Sequence, residues 1–190
     1  MSTVYENGEN LEEFQQKIGY TFKRISYLEQ ALTHSSYANE GHKHLKNNER
    51  LEFLGDSVLS VIVARYLFLN YKDLPEGVLT KMRASLVCEK ALDVFAGELE
   101  LGKYLRLGKG ADLSGGRQRP SIIADAFEAV LAAIYLDGGY EEAQRFVMRF
   151  IPKNIDIRKQ SPLSDYKTAL QEVVQQNKEE KVTYRLVDEH

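Results

Sequence analysis

Apolar residues recur at helical spacing through most of the chain, interrupted by glycine, proline and short polar clusters. Asn10-Leu11-Glu12-Glu13 reads as a cap with its reciprocal acid and Gly19 as a stop. The pattern therefore predicts a short first helix with Leu11, Phe14 and Ile18 inward. A second helix is predicted from about Ile25 to His34, burying Ile25, Leu28 and Leu32. The longest pattern runs from about Asn48 to Tyr71, with Leu51, Leu54, Val58, Val61 and Ile62 on its apolar face. It stops before Asp73-Leu74-Pro75, since the residue preceding proline is pushed out of the helical region.

Pro75-Glu76-Gly77 opens the next helix, with Val78, Leu79, Met82 and Leu86 inward. Another spans about Glu89 to Leu99 through Leu92, Val94, Phe95 and Leu99, and Cys88 is expected to pack between the two. Gly102, Gly108, Gly110, Gly115 and Gly116 make the following segment mostly loop, with a turn or two of helix. No Gly-Lys-Ser/Thr occurs there and no strand precedes it, which argues against a nucleotide cradle. Pro120 suits the first turn of a helix reaching about Leu136, stopped by Gly138-Gly139. From Tyr140 to about Ile151 a further helix buries Ala143, Phe146, Val147 and Phe150, and Pro152 closes it.

The expected architecture is all-α over residues 1–156, followed by a linker at 157–163 that carries Ser161 and Pro162. Residues 164–190 read differently: Ser164 caps a helix to about Gln176, and Lys181 to Val187 alternates as a strand.

Composition narrows the class. The chain has 190 residues, 43% of them hydrophobic and 28% charged, which places it among ordinary globular proteins. Cys88 is the single cysteine, so no internal disulfide framework exists and a reducing, cytoplasmic setting fits. The polar, acidic start from Met1 to Asn10 predicts neither a signal peptide nor a transit peptide, and no apolar run is long enough for a membrane span. Net charge is −3, yet Lys103, Arg106, Lys109, Arg117 and Arg119 cluster in one segment opposed only by Asp112, a candidate surface for a phosphate backbone.

Candidate chemistry lies in two acidic pairs. Glu52 and Asp56 are four apart on the longest helix and share one face, with Glu49 a turn earlier. Asp125 and Glu128 interrupt an otherwise apolar helix, where a solvated outer face explains them poorly. Packing the two helices brings four carboxylates together, an all-oxygen set that suits Mg²⁺, or Mn²⁺ in its place, and hence phosphate chemistry. Glu52, Asp125 and Glu128 are the expected ligands and Asp56 a water-mediated ligand or the orienter of attacking water, though spacing leaves the division of tasks open. A structural alternative, salt bridging to Arg50 and Arg65, accounts for one pair and not both. His34 reads as a histidine hydrogen-bonded at a helix end, and His42 and His44 as solvated loop residues.

Glu49-Arg-Leu-Glu-Phe-Leu-Gly-Asp-Ser57 closely resembles the signature of ribonuclease III, and Asp125-x-x-Glu128 its second acidic motif. Ala31-Leu-Thr-His-Ser-Ser36, Glu76-Gly77, Met82-Arg-Ala-Ser85, Leu107-Gly108 and Ser114-Gly-Gly116 extend the resemblance in order through about the first 155 residues. It implies a Mg²⁺-dependent endonuclease that cuts double-stranded RNA, leaving 5′-phosphate and 3′-hydroxyl ends with short 3′ overhangs. Ribosomal RNA precursors and structured messages are the implied substrates.

The same resemblance makes Asp56 and Glu128 the residues most tied to catalysis. Glu49 and Glu76 are secondary candidates bordering the catalytic valley. Phe53 is implied to insert into a second subunit of a homodimer. No small-molecule cofactor is implied. Residues 164–190 resemble the opening of a double-stranded RNA-binding domain, and 161–190 alone are expected not to form that module, since one strand cannot satisfy its own edges. The competing expectation is a noncatalytic double-stranded RNA-binding protein with the same fold, which has no need of four acids facing phosphates. A helical Mg²⁺ nucleotide pyrophosphatase and a di-iron protein fit the motif spacing less well.

Overall fold

The computed structural model describes residues 9–40, 45–152 and 155. The chain divides into two units, Met1–Lys153 and Asn154–His190. The predicted linker and the helix–strand pair after it lie outside the described residues, as does the loop with His42 and His44.

The helices of the first unit are α1 (Glu9–Ile18), α2 (Ile25–Ala31), α3 (Ser35–Asn39), α4 (Glu49–Asn70), α5 (Glu76–Val87), α6 (Glu89–Glu98), α7 (Lys109–Leu113), α8 (Pro120–Gly138) and α9 (Tyr140–Met148). Short 3₁₀ turns at Leu101–Tyr104 and Gly116–Gln118 flank α7. Among the described residues there is no strand, only an isolated parallel bridge between Thr33 and Arg106. No described helix is long and apolar enough to cross a membrane.

Helix α8 is apolar on nearly every side, and a helix of that kind is stable in water only when other elements surround it. Residues Ala126 to Ile134 are all buried, enclosed by α2, α4, α6 and α9. Phe127 meets Phe95 of α6, Phe146 of α9 and Phe150 in a cluster with ring centroids 5.3 to 6.0 Å apart. Rings tilted at such separations add favourable quadrupole contacts to the area they bury.

Helix α4 buries Leu51, Val58, Leu59, Ile62, Val63 and Leu67, packing against α8 and α5. Gly55 sits at the crossing: a Cβ there would lie 1.9 Å from the Glu128 carbonyl oxygen. Only glycine permits that approach, so its cost of about 1 kcal/mol in a helix interior is accepted for contact between two backbones.

Loop connections are tied down by polar side chains. Gly19 ends α1 at φ +71°, and Arg149 donates to the last carbonyls, of Lys17 and Ile18. Asp137, near the end of α8, accepts from the Tyr20 hydroxyl at 2.8 Å and from the Lys23 and Arg24 amides at 2.7 and 3.0 Å. One carboxylate thus moors the whole turn between α1 and α2.

The structure departs from the sequence pattern at several places. Helix α2 stops at Ala31 because the chain beyond it pairs with Arg106: the Arg106 amide donates to Leu32 and the His34 amide to the Arg106 carbonyl, at 2.8 and 3.1 Å. His34 then caps a new short helix, α3. Ile25, Val61 and Val94, expected inward, are 40%, 58% and 57% exposed, and Cys88 is exposed at the α5–α6 corner. Each lies at the edge of an apolar stripe, where periodicity gives a direction but no neighbour. Asn10 falls within α1, which begins at Glu9.

Candidate metal centre

The close approach at Gly55 places the acidic pairs of α4 and α8 against each other. Glu52, Asp125 and Glu128 each offer a carboxylate oxygen, and the three oxygens lie within 4.8 Å of one another. Glu128 is buried while Glu52 and Asp125 are half-buried. Asp56, one turn along α4, is exposed, and its charge acts on both Glu52 and Glu128.

No ion pair reaches these four acids among the described residues, Arg50 and Arg65 included. The electrostatic result is visible in Glu128, Glu52 and Asp125. Burial, followed by the charges of Asp56, Glu52 and Asp125, pushes Glu128 up to about 8. Glu52 is raised by burial and then by Asp125, Glu49 and Asp56. Asp125 is raised mainly by burial, with His34 opposing and Glu89 adding to it.

Like charges gathered in a partly dry site without a counterion disfavour ionisation, and a bound cation reverses that balance. An all-oxygen donor set drawn from two rigid helices fits a hard divalent cation. The crevice therefore has the donor chemistry for one.

The remaining candidates divide. Glu49 is exposed in the first turn of α4 and lies within the field of Glu52. Glu76 is exposed at the start of α5, accepts from the Thr80 hydroxyl at 2.7 Å and lines a different groove, with Val61, Phe68 and Arg83. Phe53 is 77% exposed.

Of the basic residues, Lys103 pairs with Glu100, and Arg106 with Glu29 at 3.3 Å. Arg117 is largely committed internally. Its guanidinium holds Asp112 at 2.8 and 3.2 Å and donates to the carbonyls of Gly102 and Leu105 at 2.9 and 2.8 Å. Lys109 and Arg119 are exposed. Two groups acting on Asp125, His34 and Glu89, carry no motif that links them to it, because each sits on a separate element brought in by packing.

The model of the family described as Ribonuclease-III-like matches residues 25–155. This chain belongs to the ribonuclease III family. It is accordingly an endoribonuclease. Ribonuclease 3 of Caldanaerobacter subterraneus subsp. tengcongensis is 54% identical over 92% of this chain and 77% of that protein. Ribonuclease 3 of Clostridium perfringens is 53% identical over 94% and 75% respectively. Among solved structures, a ribonuclease III nuclease domain from Campylobacter jejuni, described for flexibility in a region involved in dimer formation, superposes with a TM-score of 0.71. It is 42% identical and matches 77% of this chain and 99% of its own.

Proposed function

We propose that this ribonuclease III family member hydrolyses phosphodiester bonds of double-stranded RNA with Mg²⁺, for which Mn²⁺ substitutes. The observation that carries this reading is the convergence of the Glu52, Asp125 and Glu128 carboxylates within 4.8 Å of one another, with no salt bridge to any of them among the described residues. When bound, the divalent ion supplies Lewis acidity: it lowers the pKa of attacking water and neutralises charge at the phosphate.

The chain's own residues do the rest. Glu52, Asp125 and Glu128 hold the ion, and the backbone contact at Gly55 keeps their spacing rigid. Asp56 and Glu128 stand closest to the chemistry, with the exposed Asp56 placed to orient attacking water. Glu49 borders the acidic centre in a secondary role, and any role of Glu76 is exerted from the separate groove it lines with Val61, Phe68 and Arg83. Lys109 and Arg119, with Arg106 and Lys103, contribute backbone contacts.

Products are 5′-phosphate and 3′-hydroxyl ends with short 3′ overhangs, a geometry that needs two sites facing one duplex. A homodimer supplies them, and the stripe of exposed Phe53, Val61 and Phe68 along α4 supports self-association. Duplex RNA is read by shape and 2′-hydroxyl contacts. Ribosomal RNA precursors and structured messages in the cytoplasm are the natural substrates.

The test is Mg²⁺-dependent cleavage of a long RNA duplex at low salt by the parent and by Glu128→Gln. Cutting by the parent, lost in a variant that still binds, is the expected result. Absence of cutting by a folded parent that binds the duplex would instead leave a noncatalytic RNA binder.

A further inference from the structure

The basic segment from Lys103 to Arg119 does not act as one patch, because Arg117 is turned into the fold and Lys103 is paired with Glu100. Arg106 instead joins cations from elsewhere in the chain. The bridge between Thr33 and Arg106 sets Arg106 beside α2, and the Asn48 amide, donating to the Thr33 carbonyl at 2.9 Å, draws in the segment that enters α4. Arg24, Lys46 and Arg106 thereby line one cavity of about 370 Å³.

Charge in this cleft is unbalanced. Glu29 is its one lining carboxylate, and it takes Arg106 at 3.3 Å. The Arg24 guanidinium lies over the Tyr27 ring at 4.4 Å, donates to the Leu136 carbonyl at 3.3 Å and stands 3.8 Å from Asp137. Lys46 is exposed and has no ion pair among the described residues. With Asp137 set against Arg24 and Glu29 against Arg106, Lys46 is the cation of the cleft without an acid among the described residues, and the three cations together with the hydroxyls of Ser26 and Tyr27 can hold a phosphate.

The position of the cleft says which phosphate. Lys46 precedes Glu49 by three residues, so their Cα atoms are at most about 11 Å apart, and Glu52 follows one helical turn later. A polyanion approaching the acidic centre meets repulsion there, and cations a few nucleotides away offset it. We propose that the Arg24–Lys46–Arg106 cleft holds a backbone phosphate of the RNA duplex, outside the cluster that performs hydrolysis. This rests on the reading of the protein as a duplex-RNA nuclease.

The test measures duplex affinity by fluorescence anisotropy without divalent cation, from 50 to 200 mM salt, for the whole chain, Lys46→Gln and Lys46→Arg, with a melting curve for each. Lys46→Gln should lower affinity about five- to tenfold near 0.1 M salt and flatten the log–log salt slope by about 1, equally for duplexes of different sequence. Lys46→Arg should retain both affinity and slope, and all three proteins should melt alike. Unchanged affinity and slope in Lys46→Gln would overturn the proposal. So would saturable binding of AMP that Lys46→Gln abolishes while duplex affinity stays the same, which would make the cleft a small-molecule site. A parent that binds duplex without cutting it in Mg²⁺ refutes the nuclease reading, and the salt slope still decides the cleft.

Discussion

Replacing Glu128 by glutamine isolates the charge strain of the acidic centre. In an unfolded chain this carboxyl ionises near 4.5, whereas in the fold burial and the surrounding acids push it up to about 8. Between these values the folded state keeps a proton that the unfolded state has released, so stability falls as pH rises. The loss is about 1.4 kcal/mol per pH step, reaching about 3 kcal/mol at pH 7 and about 5 kcal/mol above pH 8. Glutamine has nearly the same shape and no charge, so the variant lacks this component.

For a domain of this size each kcal/mol moves Tm by about 2–4 °C, and the parent should lose about 6–12 °C relative to Glu128→Gln between pH 4.5 and 7. The assay is thermal unfolding in chelator across pH 4.5 to 9, read as the difference between the two proteins so that shared titrations cancel. Millimolar Mg²⁺ should restore the parent and leave Glu128→Gln almost unmoved, because a bound cation removes the repulsion. A difference curve that stays flat with pH would refute the electrostatic account of the site.

Other expectations follow from single contacts. Gly55→Ala puts a methyl group 1.9 Å from the Glu128 carbonyl oxygen, so it should cost about 3 kcal/mol or more in urea unfolding and weaken Mg²⁺ affinity; an unaffected variant would show that α4 and α8 do not touch there. Asp137 is pushed up by burial, but hydrogen bonds from Lys23, Tyr20 and Arg24 and the Arg24 charge outweigh this and leave it below the usual carboxylate value. Its stabilisation is therefore present above the ordinary value and lost as pH falls through the lower value in the fold. Asp137→Asn should be about 2 kcal/mol less stable at neutral pH and lose less in acid, by circular dichroism titration. Arg117→Ala should destabilise by about 2 kcal/mol, leaving duplex affinity per folded molecule unchanged; reduced affinity with normal melting would place Arg117 at the RNA instead.

Much of this site was legible without coordinates because its ingredients are local. Periodicity of 3.6 sets Glu52 above Asp56, and an acidic pair inside the apolar run from Ile122 to Leu131 has few explanations besides a charged ligand. Gly55, next to Asp56, is the point at which α4 meets α8. Helix boundaries near Gly19, Pro75 and Gly139 follow from backbone chemistry that each residue carries with it.

Tertiary structure decided what depends on partners distant in sequence. The early end of α2 comes from pairing with Arg106, and the exposure of Ile25, Val61 and Val94 from the absence of a neighbour within this chain's described residues. Arg117 and Arg106 look alike in sequence, yet one is bonded to carbonyls inside the fold and the other joins Lys46 and Arg24 around a cleft. The physical reason is that propensity and amphipathicity act over one or two turns of chain. Which charges meet is set by how α2, α4 and α8 pack, and that packing depends on the shape of whole faces.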